Sequence, residues 1–296
     1  MVNNKKLLFF TLISNNAEID AAHLLVNCLR TFGGEYREAA LWVFSAIEKR
    51  ALRAFPFDKN TIFVPLEREE YSQPYFFTNK VGACAQVEKM VDAKENILVW
   101  LNPMTLILQE PAAFQLRVGY QAAFRPVHIQ NIGSSIQEKI DGYWGKIYTV
   151  VGRDKDNFAL ETLLEKKYIR PYFNSHLFSI DPEAGLLQEW QELFSKFINN
   201  NEFQVTYCVD VAHQVFLHQA ILSALLEVRM GQQKIDILPE EYSYPLHLHA
   251  KIEQERQIRR LDDLVCPVYE EEFHLPESLA GLEISPALLD WLQKLV

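Results

Sequence analysis

"NKVGACAQVEKMVDAKENILVWLNP", residues 79–103, changes its hydrophobic period part-way along. Asn79 is placed to cap a helix whose apolar residues Val81, Cys84, Val87, Met90 and Val91 recur at helical spacing on one face. From Ile97 to Leu101 every residue is apolar, the pattern of a strand covered on both sides. A helix that feeds such a strand is half of a β-α-β unit, and this sets the fold class as α/β.

Working outward, "LLFFTLI" at 7–13, "LWVF" at 41–44 and "TIFVPL" at 61–66 share that continuous apolarity. After the first of them Asn15 or Asn16 can cap a helix with Glu18 and Asp20 in its first turn, Ala22, Leu25, Val26 and Leu29 on its apolar face, and Gly33-Gly34 at its end. The expected architecture is a mostly parallel mixed sheet flanked by helices. Beyond residue 125, "RPVHIQNIGS", "RPYFNSHLFSI" and "KIDILPEEYSYPLHLH" read as strand and turn pieces around a long apolar helix near 209–229. From about 250 the chain is charged and reads as helical, closing in the amphipathic "SPALLDWLQKLV". Residues 1–250 are therefore expected to form one α/β domain, with 251–296 a helical C-terminal extension packed on it.

The 296 residues are 49% hydrophobic, ample for a core. A formal charge of −10, from 29 basic and 39 acidic residues, argues against general attraction to nucleic acid or anionic membranes. Any anionic ligand must then be met by local groups. Cys28, Cys84, Cys208 and Cys266 are scattered with no CxxC pair, which reads as buried thiols in a reduced, cytoplasmic protein. No export signal and no membrane span is read from the chain.

In open parallel sheets ligands collect outside the carboxyl ends of strands. That rule points to Ser14-Asn15-Asn16 after the first strand and to Asn102–Thr105 after "VWL". Lys80, in the first turn of its helix, opposes the macrodipole, so it reads either as a partner for a bound anion or as a surface cation. His247 and His249 in "LHLH" would share one side of a strand, a spacing that suits either a metal or a hydrogen-bonding pocket wall. His128 and His218 read as pocket or core residues. Asp141, beside Tyr143 and Trp144, could face a sugar or simply cap a helix.

The order of these landmarks is similar to that of the GT-A-fold nucleotide-sugar glycosyltransferases of the glycogenin and lipopolysaccharide-galactosyltransferase type. The landmarks are the first strand ending in Asn residues, the "NK" helix, the "VWL" strand and turn, "PYFNS" at 171–175, "LHQAILS" at 217–223 and "LPEEYSYPLHLH" at 238–249. The resemblance spans about residues 5–250. It implies nucleotide and diphosphate contacts at Ser14, Asn15, Asn16, Lys80, Asn102, Met104, Thr105 and His247. Sugar contacts fall on His128, Asn131, Phe173, Asn174, Ser175 and His249, and catalytic roles on Gln219, on His218 where the family has an acid, and on Asp141.

The metal-binding turn of that family carries Asp-x-Asp, and here Asn102 and Met104 fall on the two acids. His176 stands where the family has glycine. Hard divalent cations want oxygen ligands and avoid thioethers. The expectation is no metal, or a weakly bound manganese or magnesium, with Lys80, Arg125, Arg170 and His247 as alternative partners for a diphosphate. The expected partners are a nucleotide sugar and an acceptor of unknown kind, with the oligomeric state left open. Two functions follow: sugar transfer with little or no metal dependence, or a non-catalytic sugar- or nucleotide-binding scaffold on the same fold.

Overall fold

A computed structural model describes residues 3–53, 55–67, 75–154, 158–270, 279 and 281–295. The four continuous apolar runs form β1 (Lys6–Ile13), β2 (Ala40–Ser45), β3 (Thr61–Pro65) and β4 (Asn96–Leu101), with α1 (Glu18–Phe32) and α2 (Thr78–Met90) between them. Next come β5 (Ala122–Phe124), α3 (Gly142–Val151), the short pair β6 (Leu160–Glu161) and β7 (Tyr168–Ile169), and β8 (Leu177–Ile180). The chain continues through α4 (Leu186–Ile198), α5 (Asn201–Tyr207), α6 (Val211–Arg229), β9 (Ile235–Ile237), β10 (Tyr242–Pro245), β11 (Cys266–Val268) and α7 (Pro286–Leu292).

Seven strands make one sheet in the order β3-β2-β1-β4-β8-β5-β9. β1 to β4 are mutually parallel, β8 runs antiparallel to both β4 and β5, and β9 is parallel to β5. The antiparallel β8 matters for the site, because its first residues lie beside the end of β4.

Successive strand residues point to opposite faces, so β1 divides its side chains between two cores. Leu8, Phe10 and Leu12 join the cluster beneath α2, α3, α4 and α6, which includes Trp100, Trp144 and Trp190. Leu7, Phe9 and Ile13 join the cluster that holds Leu25 and Leu29 of α1. Ile252, Leu264, Val268 and Leu292 belong to that second cluster too, so the C-terminal segment completes one face of the sheet.

Several local expectations change. Helix α1 has no side-chain cap; Asn15 instead accepts the Ala17 N–H through Oδ1 at 2.9 Å, forming a turn ahead of the helix. Asn79 lies inside α2, whose N-cap is Phe77 in the left-handed region at φ 59°. Residues 250–265 do not form an α-helix: they run through short 3-10 turns into β11, and the closing α-helix is α7. "LHLH" is likewise a 3-10 turn over Leu246–Lys251, not a strand. Tyr242–Pro245 uses up the paired β10 positions, and the chain turns immediately after Pro245.

Helix α6 is long and apolar enough by composition to cross a membrane. Its residues Leu217 to Glu227 are all buried within the protein, against α3 and α4. From Leu217 onward the helix is enclosed and has no polar face to keep, so this apolarity is that of a core helix. All four cysteines are free and buried.

Candidate functional site

Strand β4 ends in the turn that carries Asn102. Its N–H donates to the His176 carbonyl at 2.8 Å, joining this turn to the segment just before β8. The Asn102 Oδ1 accepts the Met104 N–H at 2.9 Å, so the amide oxygen closes the turn. The Met104 side chain packs against the second apolar cluster, and Thr105 is fully buried, bridging to Val268. A hard divalent cation needs several oxygen ligands. This turn offers one amide oxygen, already engaged, and a thioether. Among the described residues no group of three His, Cys, Asp or Glu side chains is disposed to hold a metal. The residues of the turn do not fit such an ion.

Behind the turn, Ser175 is the centre of a buried polar cluster. Its carbonyl accepts from Lys80 Nζ at 2.5 Å and Trp100 Nε1 at 3.1 Å, which fills both lone pairs. Its hydroxyl accepts from Lys80 Nζ at 2.8 Å. Gln219 Oε1 accepts the Ser175 N–H at 3.2 Å and the hydroxyl proton at 3.0 Å, fixing which end of the amide faces Ser175. His218 Nδ1 lies 2.9 Å from the Val215 carbonyl and therefore carries the proton, leaving an Nε2 lone pair 3.2 Å from the same hydroxyl, where it competes with Gln219 Oε1 for that one proton. The His218 ring stacks on Phe77 with centroids 4.2 Å apart. Lys80 sits between aromatic faces, 5.6 Å from the Phe77 centroid and 5.4 Å from that of Trp100.

Burial sets the charges here. Desolvation holds His218 well below the ordinary imidazole range, so it is neutral, and lowers the Lys80 ammonium from 10.5 to about 7. Between about pH 7 and 10.5 the folded protein thus carries one proton fewer than the unfolded chain at Lys80. Stability should rise with pH across that window, by up to about 1.4 kcal/mol per pH unit from this group. Lys80→Met is expected to flatten that slope. Urea unfolding of both proteins at pH 7, 8 and 9 measures it, and an unchanged slope would show Lys80 charged in the fold.

On the far side of Gln219 lies a cavity of about 120 Å³. His128, Asn131, Asn174, His176, Gln219, His247 and Glu270 supply its polar lining. Val127, Ile129, Tyr172, Phe216 and Leu248 supply the apolar part. His128 Nε2 is 2.7 Å from the Ser243 carbonyl, so that nitrogen carries a proton. Asn174 Oδ1 accepts the His176 N–H at 2.8 Å, which turns its amide Nδ2 towards His128 Nε2, 3.4 Å away. Two donors face each other there, so the Asn174 amide finds no acceptor in that ring nitrogen. Burial lowers His128 to about 3 and His176 well below the imidazole range, and both rings are neutral. His247 Nε2 lies 3.2 Å from Glu270 at the rim.

Residues 14–227 match the Rhodobacterales glycosyltransferase domain family. The chain belongs to that glycosyltransferase family. Its fold is that of the galactosyltransferase LgtC in complex with donor and acceptor sugar analogues, with TM-score 0.51, 13% identity, and 97% of this chain and 99% of that one covered. Mouse xyloside xylosyltransferase 1 in its apo form aligns at TM-score 0.45 and 10% identity over 81% of this chain and 87% of that one. GlyE of Streptococcus pneumoniae aligns at TM-score 0.49 and 10% identity over 99% of this chain and 61% of that one. No curated protein gives a significant match. The fold is GT-A, as the order of sequence landmarks implied.

In this glycosyltransferase the expected site residues divide into groups. His128, Asn131, Asn174, Gln219 and His247 line the cavity, while Ser175, His218 and Lys80 stand behind it. Phe173 is buried against Phe124, and its N–H donates to Ser223. His249 binds the Tyr244 hydroxyl at 2.8 Å and is buried, so it does not pair with His247. Asp141 is the exposed N-cap of α3, accepting from the Trp144 N–H. Ser14 is held by Glu18, which accepts its N–H at 2.6 Å, and Asn15 and Asn16 are exposed.

Of the cations expected on a diphosphate, Arg125 donates to the Leu238 carbonyl and Arg170 donates to Ser134, Ser135 and Glu138, pinning loops. His176 and Glu270 line the cavity without having been nominated for it. The "SH" before β8 was visible as a departure from the family's glycine; Glu270, just past β11, had no local signal.

Proposed function

We propose that this cavity receives the sugar of a nucleotide-sugar donor, and that transfer to an acceptor proceeds with little or no dependence on a divalent metal. The observation that carries the reading is the convergence of Asn174 and Gln219 on one cavity in a chain of the glycosyltransferase family. Both amides are locked from behind, one by the His176 N–H and the other by Ser175. Locked amides can fix the orientation of a pyranose with little ordering cost. Asn102-Pro103-Met104 is read as the family's acidic turn with both acids replaced, and no step is derived through a metal. Glu270, exposed at the rim beside His247, is placed to accept a hydrogen bond from an acceptor hydroxyl. Asp141 has no part in this reading, because it is spent on capping α3.

A second reading, sugar or nucleotide binding without transfer, is favoured by one observation: Lys80, Arg125 and Arg170 each donate to protein groups. Thermal shifts and donor hydrolysis with uridine, guanosine and adenosine diphosphate sugars, each with manganese and with EDTA, separate the two. Stabilisation with hydrolysis that survives EDTA is the expected result. Stabilisation without hydrolysis selects the second reading. Activity abolished by EDTA removes metal independence, and absence of any donor binding removes both.

A further inference from the structure

The Asn174 amide on the cavity wall takes its direction from the peptide that joins Ser175 to His176. The N–H of that peptide donates to Asn174 Oδ1 at 2.8 Å. Its other end is the Ser175 carbonyl, which accepts from Lys80 Nζ at 2.5 Å and from the Trp100 indole at 3.1 Å. A peptide unit is a rigid plane, so donors that fix the carbonyl also fix where the N–H points. Lys80 Nζ grips Ser175 a second time through the hydroxyl, at 2.8 Å, and so ties its main chain and side chain to one point on α2.

Lysine is a costly choice for that place. It lies in the first turn of α2, where a cation opposes the macrodipole, and only 5% of it is exposed. Methionine would fill the same space without desolvating an ammonium. The Ser175 carbonyl would still have Trp100, and its hydroxyl would still have Gln219. Stability alone favours the methionine; what lysine adds is two directed N–H bonds to one residue. That hold survives the proton that burial takes from Lys80 above about pH 7, since a neutral amine keeps two N–H groups for the same two oxygens.

Resting on the reading of this cavity as the sugar subsite, we propose that Lys80 is a positioning residue for sugar transfer. It sets the Asn174 amide against the sugar by holding the Ser175–His176 peptide, without itself touching donor or acceptor. The relay runs from α2 to the segment before β8 and ends on the cavity wall.

The test crosses Lys80→Met with Asn174→Ala in the full chain and follows hydrolysis of uridine, guanosine and adenosine diphosphate sugars, with rates normalised to the folded fraction. Lys80→Met should lower kcat about 10- to 100-fold, as a displacement of about 1 Å can, while donor KM changes less. Lys80→Gln, which keeps an N–H donor on a shorter arm, should regain part of that loss. The double variant should fall no more than about twofold below Asn174→Ala alone, because Lys80 acts through the amide already removed. Losses that multiply would overturn the inference and leave Lys80 a structural cation. A second measurement needs no turnover: the side-chain amide resonances of Asn174, read without donor, should move in Lys80→Met and, by less, in Ser175→Ala, which keeps the carbonyl bond. Ser175→Ala removes a single oxygen, so this measurement remains if Lys80→Met does not fold. Resonances unmoved in every variant that folds would also overturn the inference. Moved resonances with no donor hydrolysed by the natural protein would sink the transferase reading and leave the hold of Lys80 on Asn174 standing. Hydrolysis that Lys80→Met leaves unchanged would do the reverse.

Discussion

Gln219→Leu is expected to lower sugar transfer about 100- to 1,000-fold, the loss typical of removing one preorganised polar group from a reacting centre. The amide oxygen of Gln219 holds the Ser175 N–H and hydroxyl, and the residue also lines the cavity. Leucine keeps the bulk and removes both functions. Leaving the buried Ser175 N–H unmet should also cost about 1–3 kcal/mol of stability, so activity must be normalised to the folded fraction. Gln219→Glu separates the effects: a carboxylate oxygen still accepts from Ser175, while the amide N–H group is lost. Both variants should lower kcat more than they raise KM if the amide acts on the reacting sugar. Activity within twofold of the natural protein in the Gln219→Leu variant would place the reaction elsewhere.

The second large effect concerns stability alone. Arg153 and Glu227 form an ion pair at 2.8 Å between the C-terminal side of α3 and α6, with side chains only 4% and 0% exposed. The Arg153 guanidinium also lies over the Tyr148 ring, 4.1 Å from its centroid. Glu227→Leu removes the carboxylate that faces a buried guanidinium and should cost about 3–5 kcal/mol. Arg153→Met combined with Glu227→Leu should recover most of that loss, because an apolar pair needs no desolvation to be repaid. Urea unfolding of the two single variants and the double variant gives the coupling directly. Additive losses would show that the pair does not act as a unit.

Both predictions depend on helix α6, and α6 shows what a linear reading can find. Its apolar run was visible as a helix near 209–229, and the core position follows from having no polar face. That His218 would turn to the Ser175 hydroxyl and Glu227 to Arg153 was not visible, because the partners lie 43 and 74 residues away. Lys80 is the sharper case. Its place near a helix start suggested a bound anion; in the fold the ammonium is surrounded by Ser175, Phe77 and Trp100. Two of these partners, Ser175 and Trp100, come from other parts of the chain, which no local pattern encodes.

The sequence by itself determined the elements whose cause is local. β1, β2 and β4 are continuous apolar runs because both faces of a central parallel sheet are buried, and the order of landmarks along the chain implied GT-A architecture. Tertiary structure decided where helices began, since Phe77 rather than Asn79 sits at the N-cap of α2, and it decided that "LHLH" turns instead of extending. It alone brought Glu270 and His176 to one cavity and withdrew Asp141, His249, Arg125 and Arg170 from it. The physical reason is one of range. Hydrophobic period and turn chemistry act over a few neighbouring residues, whereas the partner of a buried polar group is chosen by whichever distant segment packing brings within 3 Å.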